Sequence, residues 1–217
     1  MNGGAVSAAR DAILSAVRHA VAGGGTPEPV RREYRRQGTR SRAERVARFC
    51  ERAGDYRATV RRVARTELAA VINELAPGRI GIPPGLDEGW RPADAVEDQG
   101  LTPEELDALD GVLTGCTLAI AETGTLILSG GPGEGRRALT LVPDLHVCIV
   151  RSDQIVETVP EAFDELRRGG SYARPLTFVS GPSATSDIEL KRVEGVHGPR
   201  RLAILIVEDE DAVAKAG

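Results

Sequence analysis

Aromatic side chains are scarce in this chain. Phe, Tyr and Trp together make up 3% of its 217 residues. A core built from such a sequence rests on Val, Ile, Leu and Ala, which suits strands buried on both faces, because these read as aliphatic runs. Lysine is nearly missing too: Lys191 and Lys215 are the only two. Arginine carries the remaining positive charge, with no spacing that suggests an arginine code, so it reads as a coding bias. Cysteine is sparse. Cys50, Cys116 and Cys148 are widely separated and form neither a C-x-x-C motif nor an even disulfide set. This points to a reducing, cytoplasmic setting and to a chain that holds no iron–sulfur cluster by itself, since such a cluster normally takes four thiolates. Long apolar runs are absent, and none approaches the roughly 20 residues of a membrane span. Arg10, Asp11, Arg18 and His19 interrupt the stretch where a signal peptide would carry its apolar core. No internal repeat is present.

What remains is an ordinary globular composition, with 41% hydrophobic residues and a net charge of −4. The length allows one large domain, or one domain with a helical extension. Positive charge is concentrated early: thirteen arginines lie between Arg31 and Arg65, against Glu33, Glu44, Glu51 and Asp55. Such a block can meet a nucleic acid backbone or an acidic partner. It can equally be the solvated face of amphipathic helices, because arginine stems cover apolar surface. Tyr34 and Tyr56 are too far apart to form a platform for bases, so nucleic acid is not an expected partner.

Val6, Ala9, Ile13, Val17 and Ala20 recur at helical spacing over residues 5–22, and the Gly23–Pro29 run then reads as a linker. Val46, Phe49, Cys50 and Ala53 predict a second helix ended by Gly54. Val60, Val63, Ala64, Leu68, Val71, Ile72 and Leu75 predict a third, stopped by Pro77-Gly78. Beyond Arg79 strands dominate, over Ile80–Ile82, Leu118–Ile120, Thr125–Leu128, Leu145–Val150, Leu176–Val179 and Leu202–Val207. Thr102-Pro103-Glu104-Glu105 and Thr158-Val159-Pro160-Glu161 are helix starts with a capping hydroxyl, an early proline and a glutamate three residues on. The expected organisation is a helical N-terminal extension with a Gly/Pro linker over 1–55, an α/β domain with a mixed sheet over 56–210, and a tail over 211–217.

Four segments can carry chemistry. Glu122-Thr123-Gly124-Thr125 follows an apolar strand and puts an acid, hydroxyls and a glycine at a strand end, where ligands bind in open α/β sheets. It can also be a tight hairpin in which Gly124 supplies a positive φ and Glu122 faces water. Ser129 to Arg137 contains four glycines followed by Arg136 and Arg137, as an anion-binding flap or as a plain hairpin loop. It has neither a Walker lysine nor G-x-G-x-x-G spacing. Ser180-Gly181-Pro182-Ser183 through Asp187 and Glu189 offers hydroxyls and N–H groups to an anion, or ordinary turn chemistry. Gly195-Val196-His197-Gly198-Pro199-Arg200 holds a histidine between small residues, able to carry a proton or to be structural. His146 and His197 are too distant in sequence to make a metal signature.

Taken in order, Ile120-Ala121-Glu122-Thr123-Gly124-Thr125-Leu126, Leu141-Val142-Pro143-Asp144-Leu145-His146-Val147, Ser180-Gly181-Pro182-Ser183 through Asp187-Ile188-Glu189-Leu190, and Gly195-Val196-His197-Gly198-Pro199 resemble the bacterial lactate utilization protein C family, whose shared unit is the LUD domain. The resemblance covers roughly residues 100–207. It implies a three-layer α/β/α fold similar to the NagB/RpiA/CoA-transferase group, and a role as the non-cluster component of L-lactate oxidation to pyruvate, beside iron–sulfur partner proteins. No cofactor in this chain itself is expected. Cys116 and Ala184 fall where family members vary and receive no role. The site reading that follows has Glu122 and His197 as proton-moving or catalytic groups. A small carboxylate is bound by Thr123, Gly124, Thr125, Arg136, Arg137, Gly181, Ser183, Asp187 and Glu189. Two other readings stand beside it: an assembly protein without a site of its own that docks iron–sulfur subunits through its basic helices, and a stand-alone acyl or CoA transferase with Glu122 as nucleophile. A homo-oligomer is compatible with all three.

Overall fold

The computed structural model describes residues 3–22, 31–186, 192–194 and 197–208. The chain divides into two compact units, residues 1–35 and residues 36–217. The first contains helix α1 (Gly3–Val21), on which Ile13, Val17 and Val21 recur every fourth residue and are exposed. The linker expected at Gly23–Pro29 lies outside the described residues, as does the tail.

The second unit begins with helix α2 (Arg42–Asp55). Ser41 accepts from the Glu44 N–H while the Glu44 carboxylate takes the Ser41 N–H, a capping box that fixes where the helix starts. Strand β1 (Thr59–Ala64) comes next, then helix α3 (Leu68–Leu75), β2 (Ile80–Ile82), β3 (Val96–Glu97), helix α4 (Pro103–Asp107) and β4 (Gly111–Thr114). The hairpin of β5 (Leu118–Ile120) and β6 (Thr125–Leu128) leads to β7 (Leu145–Arg151) and β8 (Ile155–Val156). Helix α5 (Val159–Arg168), β9 (Thr177–Val179), β10 (Ala184–Ser186), β11 (Arg192–Glu194) and β12 (Arg201–Glu208) complete the elements of the described residues. Helices α4 and α5 start at Thr102 and Thr158 with the capping boxes read from the sequence.

Six strands form a parallel sheet in the order β1-β12-β7-β4-β2-β3. A second sheet, β8-β5-β6-β9, carries the mixed pairing, antiparallel at β5–β6 and β6–β9 and parallel at β5–β8. Side chains alternate across each strand, so the two aliphatic runs of the main sheet feed two cores. Val147, Ile149, Ala203, Leu205 and Val207 pack with Leu68 and Ile72 of α3. Cys148, Val150, Leu202, Ile204 and Ile206 pack with Val46, Phe49 and Ala53 of α2 and with Ala119, Leu126 and Leu128 of the second sheet. The far side of that second sheet is covered by Ala162 and Leu166 of α5. The architecture is α/β, a mainly parallel sheet flanked by helices.

One expectation is corrected. The helix read across Val60–Leu75 begins only at Leu68, because residues 59–64 pair along their whole length with β12. Valines 60 and 63 satisfy helical spacing locally, but a ladder of hydrogen bonds to a distant strand outweighs that weak preference. Phe49 is fully buried, so α2 packs as a layer on the α/β core.

Candidate functional site

A cavity of about 130 Å³ opens at the amino ends of β7 and β12, beside the carboxyl end of β9. Arg137, Thr140, His146, Ser180, Gly181, Ser183, His197 and Leu202 are among its lining residues. Residues read as a site from four separate stretches of sequence thus meet here from three of them. At about 30 Å³ per water, the space admits a molecule of a few heavy atoms.

The walls are stitched together by hydrogen bonds. Ser183 donates its N–H to the Pro199 carbonyl (2.8 Å) and its hydroxyl accepts the His197 N–H (3.0 Å). Arg137 Nη2 donates to the His197 carbonyl (3.0 Å), and Nη1 donates to the Thr140 carbonyl and hydroxyl (3.0 and 3.2 Å). Among the described residues no carboxylate pairs with Arg137. Its Nε–H and second Nη2 hydrogen are therefore available to an anion. Partial burial lowers its pKa, but a guanidinium stays charged at any physiological pH.

His146 forms the floor. It is 1% exposed and shares a 2.8 Å hydrogen bond between Nε2 and the Thr114 hydroxyl. Burial, reinforced by the Arg137 charge, pushes its pKa down to about 4. The ring is neutral at pH 7, and it offers a polar surface to a ligand without a second positive charge.

The remaining residues read from the sequence fall elsewhere. Glu122 is exposed at the turn of the β5–β6 hairpin and does not line the cavity; its N–H donates to the Glu157 carbonyl (3.0 Å). Thr123 and Thr125 share a 2.7 Å hydrogen bond, and Thr125 a second of 2.7 Å with Ser180, so this pair braces the cavity wall from behind. Gly124 (φ +65°) packs on α2, where a Cβ would stand 2.5 Å from the Ala53 nitrogen. Gly181, which does line the cavity, has φ +131° and is packed as closely, with a Cβ 2.7 Å from the Tyr56 carbonyl. Both glycines serve packing by their geometry. Asp187 and Glu189 lie outside the described residues.

Arg136 is not a free anion holder. It forks onto Asp98, Nε to Oδ2 at 2.8 Å and Nη2 to Oδ1 at 2.9 Å. Burial would raise the Asp98 pKa, but Arg136 and the N–H groups of Leu101 and Gly100 outweigh it and hold the carboxyl below its usual value. The pair ties the loop after β3 to the glycine-rich loop. Arg136→Met should cost about 1–2 kcal/mol, since Asp98 keeps its two backbone donors and Arg136 is itself half exposed. Urea unfolding checks this, and a loss under about 0.3 kcal/mol would show that the pair holds nothing.

At least five of the thirteen arginines of the block pair with carboxylates of this chain. Arg40 meets Glu157 (2.7 Å), Arg48 meets Glu51 (2.7 Å), Arg52 meets Asp55 (3.2 Å) and Arg61 meets Glu74 (2.9 Å), and Arg62 pairs with Glu208. Residues missed in the sequence are Thr114, whose partner His146 lies 32 positions on, and Thr140, which bonds Arg137 three residues before it. His146 was read only as too distant from His197 to make a metal signature, and the fold sets both in the lining of one cavity.

The LUD domain model matches residues 46–207. The chain belongs to the LUD domain family. It is 44% identical over 200 residues to a Deinococcus radiodurans protein named lactate utilization protein C, which covers 90% of this chain and 93% of that one. A Bacillus pumilus protein of the same name is 34% identical over 122 residues, 54% of this chain and half of that protein. A crystal structure of a DUF162 family protein from Deinococcus radiodurans superposes with a TM-score of 0.67, at 40% identity over 78% of this chain and 99% of that one. The LUD match begins at Val46, inside α2, in keeping with that helix being part of the domain core. No described helix is long and apolar enough to cross a membrane.

Proposed function

We propose that this LUD domain serves L-lactate utilization by holding a small 2-hydroxy carboxylate in the cavity at Arg137. The observation that carries the reading is the convergence of Arg137, Ser183 and His197, with an arginine edge left open to an anion, in a space of three-carbon-acid size. The names of its relatives supply the substrate class. In this reading Arg137 takes the carboxylate through a charge-assisted pair of N–H donors. The Ser183 hydroxyl, already an acceptor from the His197 N–H, retains a proton to donate to the ligand. The His197 imidazole lines the same cavity and takes the hydroxyl proton when lactate becomes pyruvate. The C2–H bond breaks with it: its electron pair passes as two electrons to redox partners, for which iron–sulfur proteins are the expected class, and its hydrogen leaves to solvent as the second proton.

Calorimetric titration of the full chain with L-lactate and pyruvate tests this. Binding is expected for at least one of them, about 10- to 100-fold weaker in Arg137→Gln, as for losing a charge-assisted contact. Silence with both acids, or unchanged affinity in the variant, would remove direct carboxylate binding from the account.

A further inference from the structure

In a parallel α/β sheet the ligand crevice lies beyond the carboxyl ends of the strands, where the chain leaves adjacent strands in opposite directions. That point falls here between β2 and β4: from β2 the chain moves outward to β3, and from β4 it moves inward to β7 and β12. The glycine-rich loop lies across it, with the Gly115 N–H donating to Gly133 O (2.7 Å) and the Gly133 N–H to Pro84 O (2.9 Å). Between this loop and the segments that follow β2 and β3 opens a cavity of about 620 Å³, lined by Gly85, Asp98, Gly130, Gly131, Arg136 and Arg174, among others. The lactate cavity lies at the opposite, amino-terminal ends of β7 and β12.

We propose that this second cavity binds a phosphate-bearing small molecule, its phosphate held by Arg174 and the Gly130–Gly131 backbone. Three features support this class. Arg174 has no carboxylate partner among the described residues, and its Nη1 lies 2.8 Å from where a Cβ on Gly131 would stand, so its guanidinium rests on the loop. The Gly130 and Gly131 N–H groups donate to no described acceptor, and Gly130 has φ +66°, the left-handed conformation that helps successive N–H groups form an anion-binding concavity. Charge points the same way: Arg136 is balanced by Asp98, and Arg174 is unbalanced, which leaves the lining net positive. The volume falls within the ~300–1,000 Å³ of ordinary ligand pockets, well above what a three-carbon acid fills.

The test is calorimetry on the full chain with inorganic phosphate, pyrophosphate and sulfate at about 150 mM salt, where exposed charges are largely screened, with L-lactate run in parallel. Phosphate or pyrophosphate should bind in preference to sulfate. Arg174→Gln should weaken that binding about tenfold or more and leave lactate binding and the melting temperature as they are. Gly131→Ala, which displaces the Arg174 guanidinium without removing its charge, should weaken it as well. Absent binding to the natural chain, equal binding of all three anions, or full affinity in Arg174→Gln would overturn the proposal. Phosphate binding without lactate binding would leave this site standing and remove the lactate reading; the reverse would do the opposite.

Discussion

His146→Gln should flatten the acid limb of this protein's stability between pH 6.5 and about 4. In the folded chain the ring is buried and its pKa falls from 6.5 to about 4. The unfolded chain therefore binds a proton in this window that the folded chain refuses. The stabilisation is complete above pH 6.5, is lost as pH falls, and is gone by about pH 4. Its full size is about 3 kcal/mol, from roughly 1.4 kcal/mol per pH unit. Asp98 and Glu161, whose carboxyls are also held below their usual values, lose their contributions only at lower pH. The histidine window can thus be read separately. Urea unfolding at half-unit steps from pH 7.5 to 4.5 measures the slope. A variant as steep as the natural chain would show that the ring is protonated or solvated in the fold.

Gly124→Ala should lower stability by about 3 kcal/mol, some 6–12 °C in melting temperature for a domain of this size. A left-handed φ of +65° strains any residue with a Cβ. Here the added carbon would also stand 2.5 Å from the Ala53 nitrogen and 2.6 Å from the Arg52 carbonyl carbon. Both are helix backbone atoms, which cannot turn aside as a side chain can. Gly170→Ala is the matched control, with φ +73° and nothing within 4 Å of the new carbon, so it carries the conformational cost alone. Equal melting temperatures for the two variants would show that the hairpin does not pack on α2 as described.

Gly124 also shows how far the sequence reaches. A tight turn with positive φ was legible from Glu122-Thr123-Gly124-Thr125, whereas its contact with α2 was not, because nothing near residue 124 names residues 52 and 53. Local signals were dependable. The capping boxes at Thr102 and Thr158 and the aliphatic runs of β7 and β12 depend on neighbours a few residues away, and they formed where read. The Val60–Ala64 stretch misled because a strand held by β12, about 140 residues on, carries the same apolar residues as a helix face. The candidate site divides likewise. Arg137, Ser183 and His197 were visible as polar residues in glycine-rich stretches. That Arg136 is spent on Asp98, while Arg174 lies over Gly131, depends on chain crossings that no local pattern encodes.

The central claim is that Arg137, Ser183 and His197 form one carboxylate site. A crystal structure of the full chain grown with L-lactate tests it most directly. The account predicts the carboxylate at about 2.7–3.0 Å from the Arg137 guanidinium, with the 2-hydroxyl toward Ser183 or the His197 ring. Lactate bound elsewhere, or this cavity holding only water at saturating lactate, would contradict it.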